Sequence, residues 1–397
     1  MQEDASKAGK VVFVDNIPTP YRVCLYNAIK AAAPFEICVV YLSKKGNEKL
    51  WVIDNEVMAF RHCFGRSVQV FVRSLDVRFQ FTFGILRTLL LEKPSVVVVG
   101  GYEQLGYWTA LLYCKLTNTP LVLWAGTTEM SSRSRSWPVS RLRKWYISAC
   151  GGFIAYGSKA AEFLIARGAR KERIVLGFNT TDLSRIRRRS KDLSESRELL
   201  AEREGLSKPI LTFVGRLTHL KGLALVLEAL ARIKDDHSFS LIVVGDGHER
   251  AVLEDQCKRL QLEQRVRFVG YRQASEVIYY LSLGDIFVFP TLQEVWGLVV
   301  NEALACGEYV ISSIYAGSTY DLVIGPHMGV AVDPLNSREL ESAIAQAISN
   351  IDWIQKGREA RSLEVQRFSA NNVAKTIVEG LSKLLDAPLR REDHARS

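Results

Sequence analysis

In the stretch EVWGLVVNE, residues 294–302, two acids stand on either side of a glycine and an apolar run. Paired carboxylates first suggest acid–base chemistry. If the segment were all helix, Glu294 and Glu302 would lie ~12 Å apart along the axis, whereas glycoside hydrolysis needs roughly 5 to 9.5 Å between carboxyl groups. The spacing suits two separate acceptors for hydroxyl groups, one for a donor sugar and one for a ribose. Upstream, GRLTHLKG (215–222) sets Arg216 and Lys221 in a turn that opens at Gly215 and closes at Gly222, where a helix begins. Two cations beside a glycine turn and a helix N-terminus form a seat for a diphosphate, because free N–H groups and the helix dipole add to the side-chain charge. The bland alternative is two exposed cations on a loop. A leaving diphosphate needs cationic stabilisation more than a proton, and Arg216 with Lys221 can supply it. In GDGHER (245–250), Gly245 and Gly247 flank Asp246 and permit close backbone approach to a ligand. The segment is not GxGxxG, so a nicotinamide site is not indicated.

These residues need a scaffold that delivers them to one edge. Short β-rich runs (VVFVD 11–15, FEICVVYL 35–42, SVVVVGG 95–101, PLVLWAG 120–126, GGFIAYGS 151–158) alternate with helix-length segments. The alternation restarts with PILTFVG (209–215), FSLIVVG (239–245), RVRFVG (265–270), DIFVFP (285–290) and EYVISS (308–313). That pattern predicts two doubly wound α/β domains with parallel sheets, which suits the length of 397 residues. A polar, basic stretch near 183–208 joins them. Ligands of such sheets bind outside the carboxyl ends of the strands, and the cleft between two domains is the expected site. Pro290 ends a strand, LVVNEALAC forms a short helix, and Gly307 stops it. Glu294 then precedes that helix and Glu302 lies a little more than one turn inside it. The amides of Gly297, Leu298 and Val299 crown its N-terminus, a second place for phosphate oxygens.

Composition bounds the rest. With 48% hydrophobic and 24% charged residues the chain reads as a soluble globular protein. No apolar run approaches the ~20 residues that span a bilayer, and the polar start MQEDASKAGK argues against export. Seven scattered cysteines, odd in number and without CxxC, argue against a zinc cage or disulfide framework and for reduced thiols in a cytoplasm. The net charge of +9 is concentrated in SSRSRSWPVSRLRK (131–144) and RIRRRSK (185–191), each with five basic residues and no acid. Such runs are either solvated faces or surfaces for anionic partners. Beside the first, Trp137, Trp145 and Tyr146 can anchor at a lipid interface. Nucleic acid ranks last, because no recognition signature accompanies the charge.

The motifs GRLTHLKG, GDG, FVGY (268–271) and the E-x7-E pattern of EVWGLVVNE together are specific, and singly weak. Over nearly its whole length the chain resembles a retaining glycosyltransferase of family 4, with the GT-B architecture of two Rossmann-like domains facing across a cleft. The resemblance implies that Arg216 and Lys221 hold a nucleotide diphosphate, that Glu302 binds ribose hydroxyls and that Glu294 contacts the transferred sugar. It also implies that the backbone near Tyr271 meets the base and that Gly215, Gly245, Asp246, Gly247, Gly297, Leu298 and Val299 complete the donor site. The co-substrate implied is a nucleotide diphosphate sugar, UDP ahead of GDP, with no metal and no cofactor. The diphosphate would leave from the front face with retention, without a protein nucleophile. The expected domains are an acceptor-binding domain at 1–183, a linker at 184–207, a nucleotide-sugar domain at 208–365 and a helix at 366–390 crossing back to the first domain. NNVAKTIVEGLSKLLD (371–386) is the amphipathic candidate for that helix.

The first domain departs from many relatives. No glycine-rich loop follows VVFVD; NIPTPYR stands there, with Pro18 and Pro20 stiffening the approach to Tyr21 and Arg22. The resemblance suggests that Pro20, Tyr21 and Arg22 touch the acceptor. Where many relatives carry a histidine, AGTTE follows PLVLW, so Thr127, Thr128 or Glu129 is expected to take up that contact. His219 is either a phosphate contact or a surface residue, His62 reads as structural, and Asp321 stands where relatives often have Glu. The whole points to a cytoplasmic enzyme, peripheral at the inner face of the membrane through 131–146. It would move a sugar onto a hydroxyl acceptor, lipid-linked or an anionic glycan, in surface polysaccharide assembly. The rivals are a sugar-nucleotide epimerase of GT-B-like fold, for which a histidine and acid set is missing, and a non-catalytic polyanion-binding protein.

Overall fold

The computed structural model describes residues 9–44, 57–72, 77–132 and 136–386. The chain forms two compact units. One holds the chain up to Thr127, Ser132–Thr181 and the chain from Ala370; the other holds Thr128–Ser131 and Asp182–Ser369.

In the first unit the strands are β1 (Lys10–Asp15), β2 (Glu36–Tyr41), β3 (Arg61–Phe64), β4 (Arg66–Val72), β5 (Val77–Phe83), β6 (Val96–Val99), β7 (Leu121–Ala125), β8 (Gly152–Ala155) and β9 (Ile174–Leu176). Seven of them make one sheet, ordered β3-β2-β1-β6-β7-β8-β9, while β4 and β5 pair apart as an antiparallel hairpin. All neighbours in the seven-stranded sheet run parallel. Continuous apolar runs such as the four valines of β6, all buried, fit strands covered on both faces. On one face Ile85–Glu92, Leu105–Thr117 and Trp137–Ser148 contribute to a single core cluster. On the other, Pro20–Ala32 packs with the long helix Ala370–Asp386, whose Val373, Ala374, Ile377 and Leu381 are buried. A Cβ at Gly380 would stand 2.4 Å from Val175 Cγ2, so that helix lies close against β9.

The second unit repeats the plan with β10 (Ile210–Val214), β11 (Ser240–Val244), β12 (Val266–Gly270), β13 (Ile286–Phe289), β14 (Tyr309–Ser313) and β15 (Gly329–Val332). Its parallel sheet is ordered β12-β11-β10-β13-β14-β15, a Rossmann order. The stretch read as a linker, 184–207, is instead largely helical, Leu183–Asp192 and Arg197–Arg203, and belongs to this unit. The reason is amphipathicity: Leu183 and Ile186 are buried while the arginines line the outer side. Arg197 also donates to the carbonyls of Ser282, Leu283 and Gly284 and pairs with buried Asp285 at 2.5 Å, which pins the segment to the amino-terminal edge of the sheet.

Candidate functional site

At the switch point of the second sheet, β10 and β13 lie side by side, and ligands of this topology sit beyond their carboxyl ends. The loops there are drawn tightly together by glycines. Gly222 has φ +69° and caps the helix Leu223–Ile233; a Cβ on it would meet the Pro290 carbonyl oxygen at 2.2 Å. The preceding turn is tied to the end of β13, since Leu220 O accepts from Leu292 N at 2.8 Å and from Thr291 Oγ1 at 3.0 Å. Gly245 has φ +134° and a Cβ there would meet Gly215 O at 1.9 Å, so the loops after β10 and β11 touch backbone to backbone. Gly222→Ala is expected to cost about 2 kcal/mol or more, from a left-handed φ and a backbone clash. Urea unfolding checks this, and an unchanged midpoint would sink it.

Within this frame Lys221 Nζ forms an ion pair with Glu294, and both side chains are largely buried. Glu294 bridges to Ala316 and its amide donates to Tyr315 O at 3.2 Å, so the loops after β13 and β14 hold it. The helix Leu298–Ala305 starts at Gly297 in left-handed conformation, and neither it nor the helix after Gly222 has a side-chain cap. The first amides of both helices, those of Leu298 and Val299 included, therefore lack intrahelical acceptors and point their partial positive charge beyond the sheet edge. These two helices follow the two strands that flank the switch point. Glu302 sits in the second of them, partly buried. Burial alone pushes its carboxyl up to about 7. Among the described residues no hydrogen-bond donor or cation engages its side chain. An acceptor kept dry and unpartnered is suited to hydroxyl donors of a ligand.

Arg216 and His219 are exposed in the same loop, and Tyr271 is exposed after β12. Asp246 is engaged locally, accepting from Gly247 N at 2.7 Å and pairing with Arg250 at 3.2 Å. Arg250 is a residue the sequence reading passed over. Its acids at i−4 and i+4, Asp246 and Glu254, are the signal that could have found it, and its Nη1 lies 3.2 Å from where a Cβ of Gly270 would stand. The Lys221–Glu294 pair was also not foreseen, because 73 residues separate its members.

Of the acceptor candidates in the first unit, Pro20 is exposed and Tyr21 half-buried, but Arg22 turns inward. Its Nη2 donates to Tyr156 Oη at 2.5 Å, its Nε lies 3.7 Å from Asp15 and its guanidinium covers the Trp124 ring at 3.8 Å. As placed, Arg22 holds the end of β1 and is not presented to a ligand. Thr127 Oγ1 accepts from Tyr102 Oη at 3.2 Å, and Glu129 is exposed. Thr128, by contrast, is buried, closing a turn onto Ser131 that belongs to the second unit, where Gln293 Nε2 donates to Ser131 O at 3.2 Å. His62 packs edge-on against Phe60 and Phe64, and Asp321 is buried on the helix Thr319–Leu322. In the basic segment, Arg133 and Arg135 lie outside the described residues, Arg141 covers Trp137 and Arg143 is buried. Among the described residues no group of three or more His, Cys, Asp or Glu could hold a metal ion, and no helix is long and apolar enough to cross a membrane.

Residues 196–360 match the model of the glycosyl transferases group 1. The chain is similar to an uncharacterized glycosyltransferase of Methanocaldococcus jannaschii, 29% identical over 173 residues, 43% of either chain. It is also similar to glycogen synthase of Mycobacterium tuberculosis, 30% identical over 166 residues, 41% of this chain and 40% of the relative. The chain thus spans about two fifths of the length of the curated relatives it matches. Among solved structures, Anabaena HepE in complex with UDP superposes with a TM-score of 0.73 at 20% identity, covering 94% of this chain and 100% of that one. A glycosyltransferase from Rickettsia africae gives 0.74 at 16%, covering 96% and 99%. By fold the chain is a GT-B protein, two Rossmann-like α/β units. The sequence likeness to the glycosyl transferases group 1 lies in residues 196–360.

Proposed function

We propose that this chain transfers a sugar from a nucleotide diphosphate sugar, UDP ahead of GDP, to a hydroxyl acceptor with retention of anomeric configuration. The observation that carries the reading is the Lys221–Glu294 pair set beside two uncapped helix N-termini, with unpartnered Glu302 one turn further in. In this reading the diphosphate lies over the two N-termini and draws Lys221 onto itself, which releases the Glu294 carboxylate toward the sugar hydroxyls. Arg216 adds a second cation from the exposed side of the loop. Glu302 accepts from the ribose, and the base lies near Tyr271. The anomeric C–O bond breaks with its electron pair going to the diphosphate, where Lys221 and the amides stabilise the charge. The acceptor oxygen bonds to the same carbon from the same face, and its proton passes to a diphosphate oxygen. No metal enters this scheme. Support for UDP comes from Anabaena HepE, described in complex with UDP and with UDP-glucose. A lipopolysaccharide outer core galactosyltransferase among the neighbours supports a lipid-linked or anionic acceptor in surface polysaccharide assembly. The cytoplasmic setting and membrane contact through 131–146 belong to the same proposal.

A thermal-shift panel of UDP, GDP, ADP and their sugar conjugates tests it, because a ligand that binds only the folded state raises the melting point. A shift by uracil conjugates, lost in Glu302→Ala, is the expected result. Absence of a shift with every nucleotide would reject the donor site in favour of a polyanion-binding protein. Interconversion of a nucleotide sugar without acceptor would favour an epimerase.

A further inference from the structure

The helices Ile85–Glu92, Leu105–Thr117 and Trp137–Ser148 lie on one face of the first sheet and share one core. Trp108 stacks flat on Trp145 at 5.8 Å, and Tyr146 Oη donates to Tyr107 O at 3.0 Å, which joins the second helix to the third. Each helix spends its inner face on the core: Ile85 and Leu89 from the first, Tyr107, Ala110 and Leu111 from the second, Tyr146 and Ile147 from the third. Their outer faces should then be polar, as on Ser337–Ser349 of the second unit, which buries Leu340, Ile344 and Ile348 and turns Arg338, Glu339 and Glu341 outward. They are not. Leu90, Leu91, Leu112, Leu116, Leu142 and Trp145 stand between 52% and 74% exposed. An outer apolar patch spread over three adjacent helices exceeds the scattered single leucines of an ordinary surface and marks a face that something covers.

Charge identifies the cover. The three helices carry one acid among them, Glu92, and it is already paired with Lys10 and Arg61. Between the apolar side chains stand the exposed cations Arg87, Lys115, Arg141 and Lys144. Leucine and tryptophan interleaved with lysine and arginine, with no free acid, match a bilayer surface with anionic headgroups: the apolar side chains enter the headgroup boundary and the cations meet phosphate. We infer that this three-helix face, and not the 131–146 segment alone, docks the protein on an anionic membrane. The inference deepens the lipid-linked reading of the acceptor and rests on that reading for its purpose, though not for its geometry.

The test sediments the full chain with phosphatidylcholine vesicles, with and without phosphatidylglycerol, at low and high salt. Binding to the anionic vesicles is expected, with partial loss in high salt. Leu112→Glu with Leu116→Glu should reduce partitioning about tenfold or more at any salt, whereas Arg141→Glu with Lys144→Glu should reduce it mainly at low salt. All four positions are exposed, so these variants keep the core intact, and the UDP thermal shift in the same samples should stay unchanged. No sedimentation with either vesicle would overturn the inference. So would variants that leave vesicle binding intact while converting a dimer to a monomer on a sizing column, since a second copy of the chain would then be the cover. Loss of the UDP shift with vesicle binding retained would instead count against the donor site alone.

Discussion

Lys221→Ala is expected to lower the rate of sugar transfer about 100-fold or more, the scale seen when one preorganised transition-state donor is removed. The loss should fall mainly on turnover, because the charge on the departing diphosphate exceeds that on the bound donor. Lys221 is paired with Glu294, so its charge is held in place instead of wandering in solvent. The pairing supplies a second, sharper result. Glu294→Gln frees Lys221 for the diphosphate and should leave nucleotide affinity unchanged or improved while transfer falls, since the sugar loses its acceptor. Single-turnover rates and nucleotide titrations separate the two effects. Wild-type turnover in Lys221→Ala would reject its role, and equal losses of affinity in both variants would show that the pair serves only the fold.

Glu302→Ala should weaken binding of a nucleotide sugar by about 10- to 100-fold, the worth of a charged acceptor of roughly 1.5 to 3 kcal/mol. The pH dependence carries the diagnosis. Desolvation raises this carboxyl to about 7 in the folded protein from an ordinary 4.5. Affinity for UDP-glucose, whose diphosphate does not titrate there, should fall as pH drops below about 7, and Glu302→Gln should abolish that slope. Stability follows the opposite sign. A carboxyl with a raised folded-state value costs nothing while protonated in both states, below about 4.5, and its penalty grows up to about 7 and stays beyond it. Glu302→Gln should therefore melt higher than wild type at pH 8, by about 2 kcal/mol in stability after allowing for the solvent-facing edge. The gain should vanish in acid. Thermal melts across that range decide, and a pH-independent difference would refute the buried-carboxylate account.

The strand-helix alternation was legible because parallel strands buried on both faces leave long valine and isoleucine runs; the switch point was not, since it depends on the strand order. All ten strands expected from the sequence occur. Five strands were not expected: β9 has three residues, β15 is a short GVAV, β3 is only partly buried, and β4 and β5 pair with each other as a hairpin apart from the seven-stranded sheet. The basic stretch at 184–207 hid helices because arginines outnumber its few buried positions. At the site, the glycine turns and the uncapped helix after Gly297 could be placed from spacing. What could not be read was tertiary: the inward turn of Arg22 depends on Tyr156, 134 residues away, and the Lys221–Glu294 pair on loops from two strands.

The helix Ala370–Asp386 completes the core of the first unit although the whole of Asp182–Ser369 precedes it in the chain. On the ribosome this reverses the usual order of maturation. At about 5–20 residues per second, synthesis of the intervening segment takes roughly 10–40 s. During that interval the sheet face around Phe13, Val98 and Ile154 lacks Val373, Ile377 and Leu381. The last residue of the second unit, Ser369, is made before the helix that finishes the first. Until then the nascent first unit carries an open apolar face where that helix will pack.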